Sequence, residues 1–300
     1  MPALTDDYAY LFAHVTLNDF LTYMNDWSAD PADPRLLADE WRSANAHFQE
    51  LQQTEAGWAD RPAVGAIPKS LEPLIRQVAA DPIFRRSFSA VPGEIGMVEL
   101  DRLVASQKSV NFTHVARLKE QIGPAPSAAA VFRACLPFDH PVPECRAGRV
   151  GKDSYMFASE SNDLRFLESM LLEPDQLTGI QPHGPLAGVV GVLVGYGSNF
   201  LNCVALEDRL VLNNGFHRAC ALRALGVTHV PCVVQRLAGR ADLEVVGRAA
   251  IRRDPNVYFG MARPPVMKDF FDPRLCRTVR RPHRSRQVRV TFTVEELDVP

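Results

Sequence analysis

The sequence predicts an α/β (α+β) protein, a mixed-sheet core with an N-terminal helical unit before it and a basic C-terminal extension after it. Three observations carry that reading. Apolar residues recur at three- and four-residue spacing through much of the first 90 positions. Short Val- and Leu-rich runs then alternate with helix-like segments. Near the C-terminus arginines accumulate without acids.

In the helical unit, residues 1–92, Leu17, Phe20, Leu21 and Met24 lie on one helical face, with Thr16 or Asn18 as the cap. "DPADP" at 30–34 breaks the pattern, and a second helix runs from Leu36 to Gln53. A third spans Leu71 to Ala80 and closes at Asp81-Pro82. Trp27, Trp41 and Trp58 suit the packing of this unit, a commoner use than an aromatic binding cleft.

A boundary falls at "VPGEIG", 91–96, and the core domain occupies 93–240. Met97–Val104 reads as a strand and turn leading to "ASQKSVN". Asn111 caps a helix with Phe112, Val115, Leu118 and Ile122 on one side, which Gly123-Pro124 stops. An insertion of about 124–187 follows, with "APSAAA", a proline-rich passage and "DSYMF" as a strand. Ser161 or Asn162 caps a further helix bearing Leu164, Leu167 and Leu171. Val189–Val194 and Cys203–Leu206 read as strands, the first buried on both faces. Beyond 240, the extension 241–300 holds a helix at 241–250 and a last strand, "QVRVTFTV", at 287–294.

Composition narrows the function classes. The chain has 300 residues, 46% hydrophobic and 23% charged, ordinary for a soluble globular protein. "MPALTDDYAY" lacks the basic region of a signal peptide. Gly184–Leu206 is uncharged, but its five glycines, Pro185 and two asparagines suit buried strands better than a membrane span. A cytoplasmic protein with no membrane partner is the expectation. Cys135, His140 and Cys145 lack the close pairing of zinc ligands, so no metal site is expected and the six cysteines read as reduced structural thiols. The net charge of −2 hides an asymmetry: residues 1–60 hold eleven acids against Arg35 and Arg42. Arg274, Arg277, Arg280, Arg281, Arg284, Arg286 and Arg289 fall in an acid-free stretch. That stretch is equally consistent with a nucleic-acid contact, a solvated tail, or pairing with the acidic N-terminus.

The most patterned segment is "LVLNNGFHRACALRALGVTHVPCVV", Leu210 to Val234. A strand ends at Asn213-Asn214-Gly215, a small-residue helix starts at Phe216-His217-Arg218, and Gly226 separates it from a second strand. A helix N-terminus presents unpaired N–H groups and partial positive charge, a ready anion site. Gly215 permits a tight turn and close ligand approach, Arg218 a forked phosphate contact, and His217 a hydrogen bond or proton shuttle. The bland alternative is an ordinary turn between strand and helix.

These residues resemble the ParB/sulfiredoxin superfamily, in which a strand ends at Gly-x-x-Arg or Gly-x-His-Arg before a helix and an "xLGxxxVPxxV" strand. "GMVELDRLVASQKSVNFTHVARLKEQI" resembles the upstream part of the same domain, and together the two pieces cover about a quarter of the chain. The resemblance implies phosphate contacts at Gly215, His217 and Arg218, with Gln107 and Lys108 in the facing loop and Asn213, Asn214 and Phe216 in the turn. It implies ATP or CTP with Mg²⁺ as ligand and, by its kinase and nuclease members, phosphoryl chemistry through His217 and Arg218. Two departures bear on chemistry: Phe216 stands where sulfiredoxins carry cysteine, and Asn214 where other members place an acid. Glu99, Asp101, Glu207 and Asp208 are the acids nearest in sequence. His114, His140 and His183 read as surface or loop histidines, and Glu160 and Asp163 as helix-start acids. The expectation is a nucleotide-dependent phosphohydrolase or phosphotransferase acting on a small molecule. Its rivals are a DNA-associated regulator or nuclease using Arg274–Arg289, and a binding protein without catalysis.

Overall fold

The structure, a computed structural model, describes residues 4–161, 163–179 and 183–299. The chain opens on a strand, β1 (Thr5–Leu11), and not on a helix as expected. "TDDYAYL" has neither a clear two-residue nor a clear helical period. Its state is set by distant partners, the segments Ser109–Asn111 and Cys276–Pro282, a tertiary effect that local pattern does not carry. α1 (Leu17–Trp27) and α2 (Pro34–Thr54) then form where periodicity puts them. The Thr16 hydroxyl accepts from the Asp19 N–H at 3.1 Å and caps α1 as predicted. Asp33 caps α2, with Pro34 at its first position.

β2 (Val64–Gly65), α3 (Glu72–Ala80), α4 (Pro82–Ser87), β3 (Gly93–Glu99), β4 (Val104–Ala105) and β5 (Ser109–Asn111) follow. Asn111 caps α5 (Phe112–Ile122) as expected, accepting from the His114 N–H at 2.9 Å. The "SAAA" passage is helical too: Ser127 caps α6 (Ala128–Cys135). Next come β6 (Arg146–Gly151), β7 (Ser154–Ser159), β8 (Arg165–Leu172) and β9 (Val189–Gly195). The patterned segment gives β10 (Asn202–Leu206), β11 (Arg209–Asn214), α7 (Phe216–Ala224) and β12 (His229–Arg236). α8 (Leu243–Val246), α9 (Ala249–Arg253), α10 (Pro255–Phe259), β13 (Cys276–Pro282) and β14 (Arg286–Thr291) complete the chain. The helix expected at 241–250 is broken into a 3₁₀ turn, α8 and α9, with Gly247 in extended conformation between the last two.

The chain folds as two compact units, Met1–Asp139 with Asn199–His283, and His140–Ser198 with Arg284–Pro300. This division falls elsewhere than at 92 and 240, because β1 pairs with β5 and with β13 and ties the N-terminal helices into the first unit. That unit holds a six-stranded mixed sheet, β2-β3-β12-β10-β11-β4, and a three-stranded sheet, β13-β1-β5. β10 runs parallel to β12 and antiparallel to β11, and β11 runs parallel to β4. The mixed-sheet core of the prediction is therefore present. Cys203, Val204, Val211, Leu212, Cys232 and Val233 are fully buried in it, as are Ala219, Cys220, Ala221 and Leu222 of α7. The short side chains of α7 allow that close approach. A second apolar cluster, with Tyr10, Phe12, Phe20 and Phe48, joins β1, α1 and α2 to Val279 of β13.

The basic stretch is consequently not a tail up to His283. β13 pairs with β1 along its whole length, Asp6 opposite Arg281 and Tyr10 opposite Arg277. Arg277 pairs with Glu40, Arg280 with Asp30, and Arg281 lies 4.1 Å from the ring centres of both Tyr8 and Trp27. Of the three readings of the charge asymmetry, pairing with the acidic N-terminus is the one these contacts realise.

The second unit contains the sheet β14-β7-β6 and the hairpin β8-β9. The helix expected after Ser161 is instead the strand β8; Asn162, its alternative cap, lies outside the described residues. Leu167 and Leu171, four apart, mimic a helical face, but β8 pairs with β9 from Arg165 to Leu172. β9 is not buried on both faces: Val190 is 72% exposed. Among the described residues no helix is long and apolar enough to cross a membrane.

Candidate functional site

The carboxyl ends of the parallel neighbours β4 and β11 place Ser106–Lys108 beside Asn213–Arg218. The Ser106 hydroxyl, buried, donates to the Leu212 carbonyl at 2.6 Å and fixes the two chain exits together. A crevice outside the carboxyl ends of strands is where α/β folds commonly take ligands.

Gly215 forms the turn with φ +98°, in the left-handed region. A Cβ there would stand 2.9 Å from Leu201 Cγ and 3.1 Å from Leu201 Cα. Both constraints require glycine. Gly215→Ala is expected to cost about 2–3 kcal/mol, combining left-handed strain with displacement of Leu201, and urea denaturation measures it. Gly215, at the N-cap, has no side chain with which to cap α7. The Ala219 N–H bonds back to the Gly215 carbonyl at 2.9 Å and starts the intrahelical ladder.

The polar side chains of the motif are each anchored. Asn213 brackets the α8–α9 connection: its amide donates to the Val246 carbonyl at 3.0 Å and its Oδ1 accepts from the Arg248 N–H at 3.1 Å. Asn214 donates to the Phe200 carbonyl at 3.0 Å. Phe216 is buried in the core, 2% exposed. Arg218 Nη1 donates to the Ala134 and Cys135 carbonyls at 3.2 and 3.1 Å, satisfying the last turn of α6. His217 Nε2 accepts the Asn111 N–H at 3.3 Å, which assigns its ring proton to Nδ1. The His114 ring meets it edge-on with centroids 5.1 Å apart.

Burial, then the nearby His114, Arg218 and Arg248, push the His217 imidazole down to about 3. It is neutral at physiological pH, with the guanidinium groups of Arg218 and Arg248 nearby. Arg248, which sequence reasoning missed, donates from Nη1 to Gln107 Oε1 at 3.1 Å, while Gln107 Nε2 holds the Ser109 carbonyl at 2.5 Å. No sequence cue links Arg248 to a loop 141 positions earlier. Lys108 is exposed and its carbonyl accepts from the Leu11 N–H at 2.8 Å. Gln107 and Lys108 lie in the loop between β4 and β5, and Gln107 reaches Arg248.

The four candidate acids sit at the other end of these elements. Glu207 and Asp208 form the β10–β11 turn, where Glu207 pairs with Arg240 and Asp208 with Arg61. That turn is about 20 Å along β11 from Asn214 at strand rise. Asp101 grips Arg223, on the last turn of α7. Glu99 ends β3 opposite His229, beyond α7. None of the four meets the start of α7.

The chain matches no protein-family model, and no curated protein and no solved structure matches it at a significant level.

Proposed function

We propose that this chain binds a nucleotide through its phosphates at the start of α7, and that it acts as a ligand-binding protein of ParB/sulfiredoxin type, not as a phosphoryl-transfer enzyme. The observation that carries the reading is the left-handed Gly215 turn into the α7 N-terminus, where the N-cap has no side chain and where Arg218 and Arg248 lie close to His217. ATP or CTP with Mg²⁺ fits that chemistry, with Arg248 and Gln107 beside the phosphates.

Catalysis has the weaker support. Phosphoryl transfer needs a group to orient the nucleophile and ligands for the metal. Asn214 stands in place of an acid, Asp101, Glu207 and Asp208 pair with arginines away from the α7 start, Glu99 lies at the far end of β3, and His217 uses its free nitrogen on Asn111. The nucleic-acid reading loses Arg277, Arg280 and Arg281 to partners within the first unit.

A thermal-shift panel of nucleotides with and without Mg²⁺ tests the reading. A ligand at about 100 times its Kd should add about 2.7 kcal/mol, a melting shift of several degrees. Arg248→Ala is expected to abolish most of the shift without unfolding the protein. It is a cleaner variant than Arg218→Ala, which also releases the α6 carbonyls. No shift with any nucleotide overturns the binding reading, and phosphate release well above background overturns the non-catalytic one.

A further inference from the structure

A second polar site lies at the opposite end of α7. A cleft of about 510 Å³ is walled by the end of α2, by Arg223 of α7, and by the segment from Arg263 to Leu275. That volume is within the range of small-molecule sites. Its walls bring four cations (Arg223, Arg263, Lys268 and Arg274) together with the carboxylates Glu55, Asp269 and Asp272.

Hydrogen bonding among these groups is lopsided. Glu55 accepts from Lys268 Nζ at 2.7 Å and from Arg263 Nε and Nη2 at 3.2 and 3.1 Å. Asp269 accepts from both Arg263 Nη atoms and from the Val266 N–H. Asp272 accepts the Arg274 N–H, Nε and Nη2 at 2.9, 3.2 and 3.0 Å. Each carboxylate thus takes three donors out of about four lone-pair sites. The cations are not used up in the same way. Arg223 directs Nε and Nη2 to Asp101, and Arg274 directs Nε and Nη2 to Asp272. Among the described residues the Nη1 of each makes no hydrogen bond, and Lys268 bonds with one of its three protons. The cleft therefore offers donors and few acceptors.

These donors are also held in place. The Arg223 guanidinium stacks 4.2 Å from the Phe271 ring centre, and Lys268 Nζ sits 3.8 Å from the Trp58 ring centre. Side chains fixed beforehand lose little freedom on binding, and planar guanidinium edges suit carboxylate and phosphate oxygens. We infer that this cleft is a binding site for a small organic polyanion bearing carboxylate or phosphate groups. It lies about 12 Å along α7 from Gly215, so it stands without the nucleotide reading.

Isothermal titration calorimetry of the full chain with citrate and with inorganic pyrophosphate tests the site. Binding of either is expected, citrate alone marking a carboxylate ligand and pyrophosphate alone a phosphate ligand. Arg274→Gln and Lys268→Met should each weaken the binding at this cleft tenfold or more, while Arg248→Ala removes only a pyrophosphate heat belonging to the α7 start and leaves the cleft's own binding unchanged. Arg274 is two-thirds exposed, so its replacement does not endanger the fold. Two results overturn the inference: no heat with either anion, or binding lost in Arg248→Ala but kept in Arg274→Gln and Lys268→Met. The second result would place the anion at the start of α7 and support the nucleotide site instead.

Discussion

Arg263→Ala is expected to destabilise the protein by about 3–5 kcal/mol, the cost of breaking a buried ion pair from one side. Arg263 has no exposed surface, and Asp269 is 2% exposed. The guanidinium grips Asp269 with both Nη atoms and Glu55 with Nε and Nη2, while the Arg263 N–H donates to Gln52 Oε1 at 3.3 Å. These bonds clamp the end of α2 to the segment leading into β13. Truncation leaves Asp269 with the Val266 N–H at 2.9 Å in place of a guanidinium. Burial already holds the Asp269 carboxyl above its ordinary 3.8, against the pull of Arg263. Without that pull it rises further, so the variant's native state keeps its proton to a higher pH than the unfolded chain does. A carboxyl raised in the native state contributes stability at low pH and loses it as pH rises through the folded pKa. The deficit of Arg263→Ala should therefore be largest at neutral pH and shrink towards pH 4–5. Glu55 adds in the same direction: burial raises it, but Lys268 and Arg263 outweigh burial and hold it below 4.5, and losing Arg263 reverses part of that. Urea denaturation of wild type and variant across this range measures the convergence. The double variant Arg263→Met, Asp269→Leu should lose less than Arg263→Ala alone, since no buried charge is left without a partner. An Arg263→Ala deficit that is constant with pH would show that packing against Phe48, and not charge, holds this joint.

The contrast between this joint and the α7 region shows what the sequence makes legible. β11, α7 and β12 are readable because their signals are local: two apolar runs, a glycine forced into the left-handed region, and Gly226 with φ +82° closing the helix. The α1 and α5 caps are readable for the same reason, since Thr16 and Asn111 bond three residues ahead. β1 is not, because its state depends on strands a hundred and more than two hundred and sixty residues away. β8 reads as a helix because Leu167 and Leu171 happen to be four apart, while pairing with β9 decides the matter. In the candidate site, residue types announce hydrogen-bonding capacity but not its destination. Asn213, Asn214, Arg218 and His217 direct part of theirs to backbone groups of α8–α9, Phe200, α6 and Asn111. Arg248 is invisible because its partner Gln107 is 141 positions away, and the Glu55–Arg263–Asp269 cluster because Glu55 is 208 positions from Arg263. Charge asymmetry between the ends, by contrast, does foretell real pairs.

Acidification should unfold this protein earlier than its carboxylates alone require. His14 and His217 are each pushed down to about 3: burial is the main cause for both, with Lys108 and Arg263 adding for His14, and His114, Arg218 and Arg248 for His217. Their unfolded values are near 6.5. A histidine held neutral in the fold leaves the unfolded chain binding more protons at every pH between those two values. Stability is then fully present above 6.5 and drains away as pH falls towards 3, by about 1.4 kcal/mol per pH unit for each histidine. Two such residues together drain about 2.7 kcal/mol per unit, so a few units consume the 5–15 kcal/mol typical of a folded domain. Denaturant melts at pH 7.5, 6.5, 5.5 and 4.5 should give that slope, and His14→Phe or His217→Gln should each remove about half of it. Glutamine keeps an acceptor for the Asn111 N–H, so the neutral-pH stability of His217→Gln should change little. The slope also reports on the proposed ligand site. A polyphosphate at the start of α7 sets negative charge beside His217 against Arg218 and Arg248, raising its folded pKa and flattening its share of the slope. His14 sits elsewhere in the first unit and keeps its share. A nucleotide that stabilises the protein equally at pH 7.5 and 5.0 would bind away from His217, and the phosphate site at α7 would have to be abandoned.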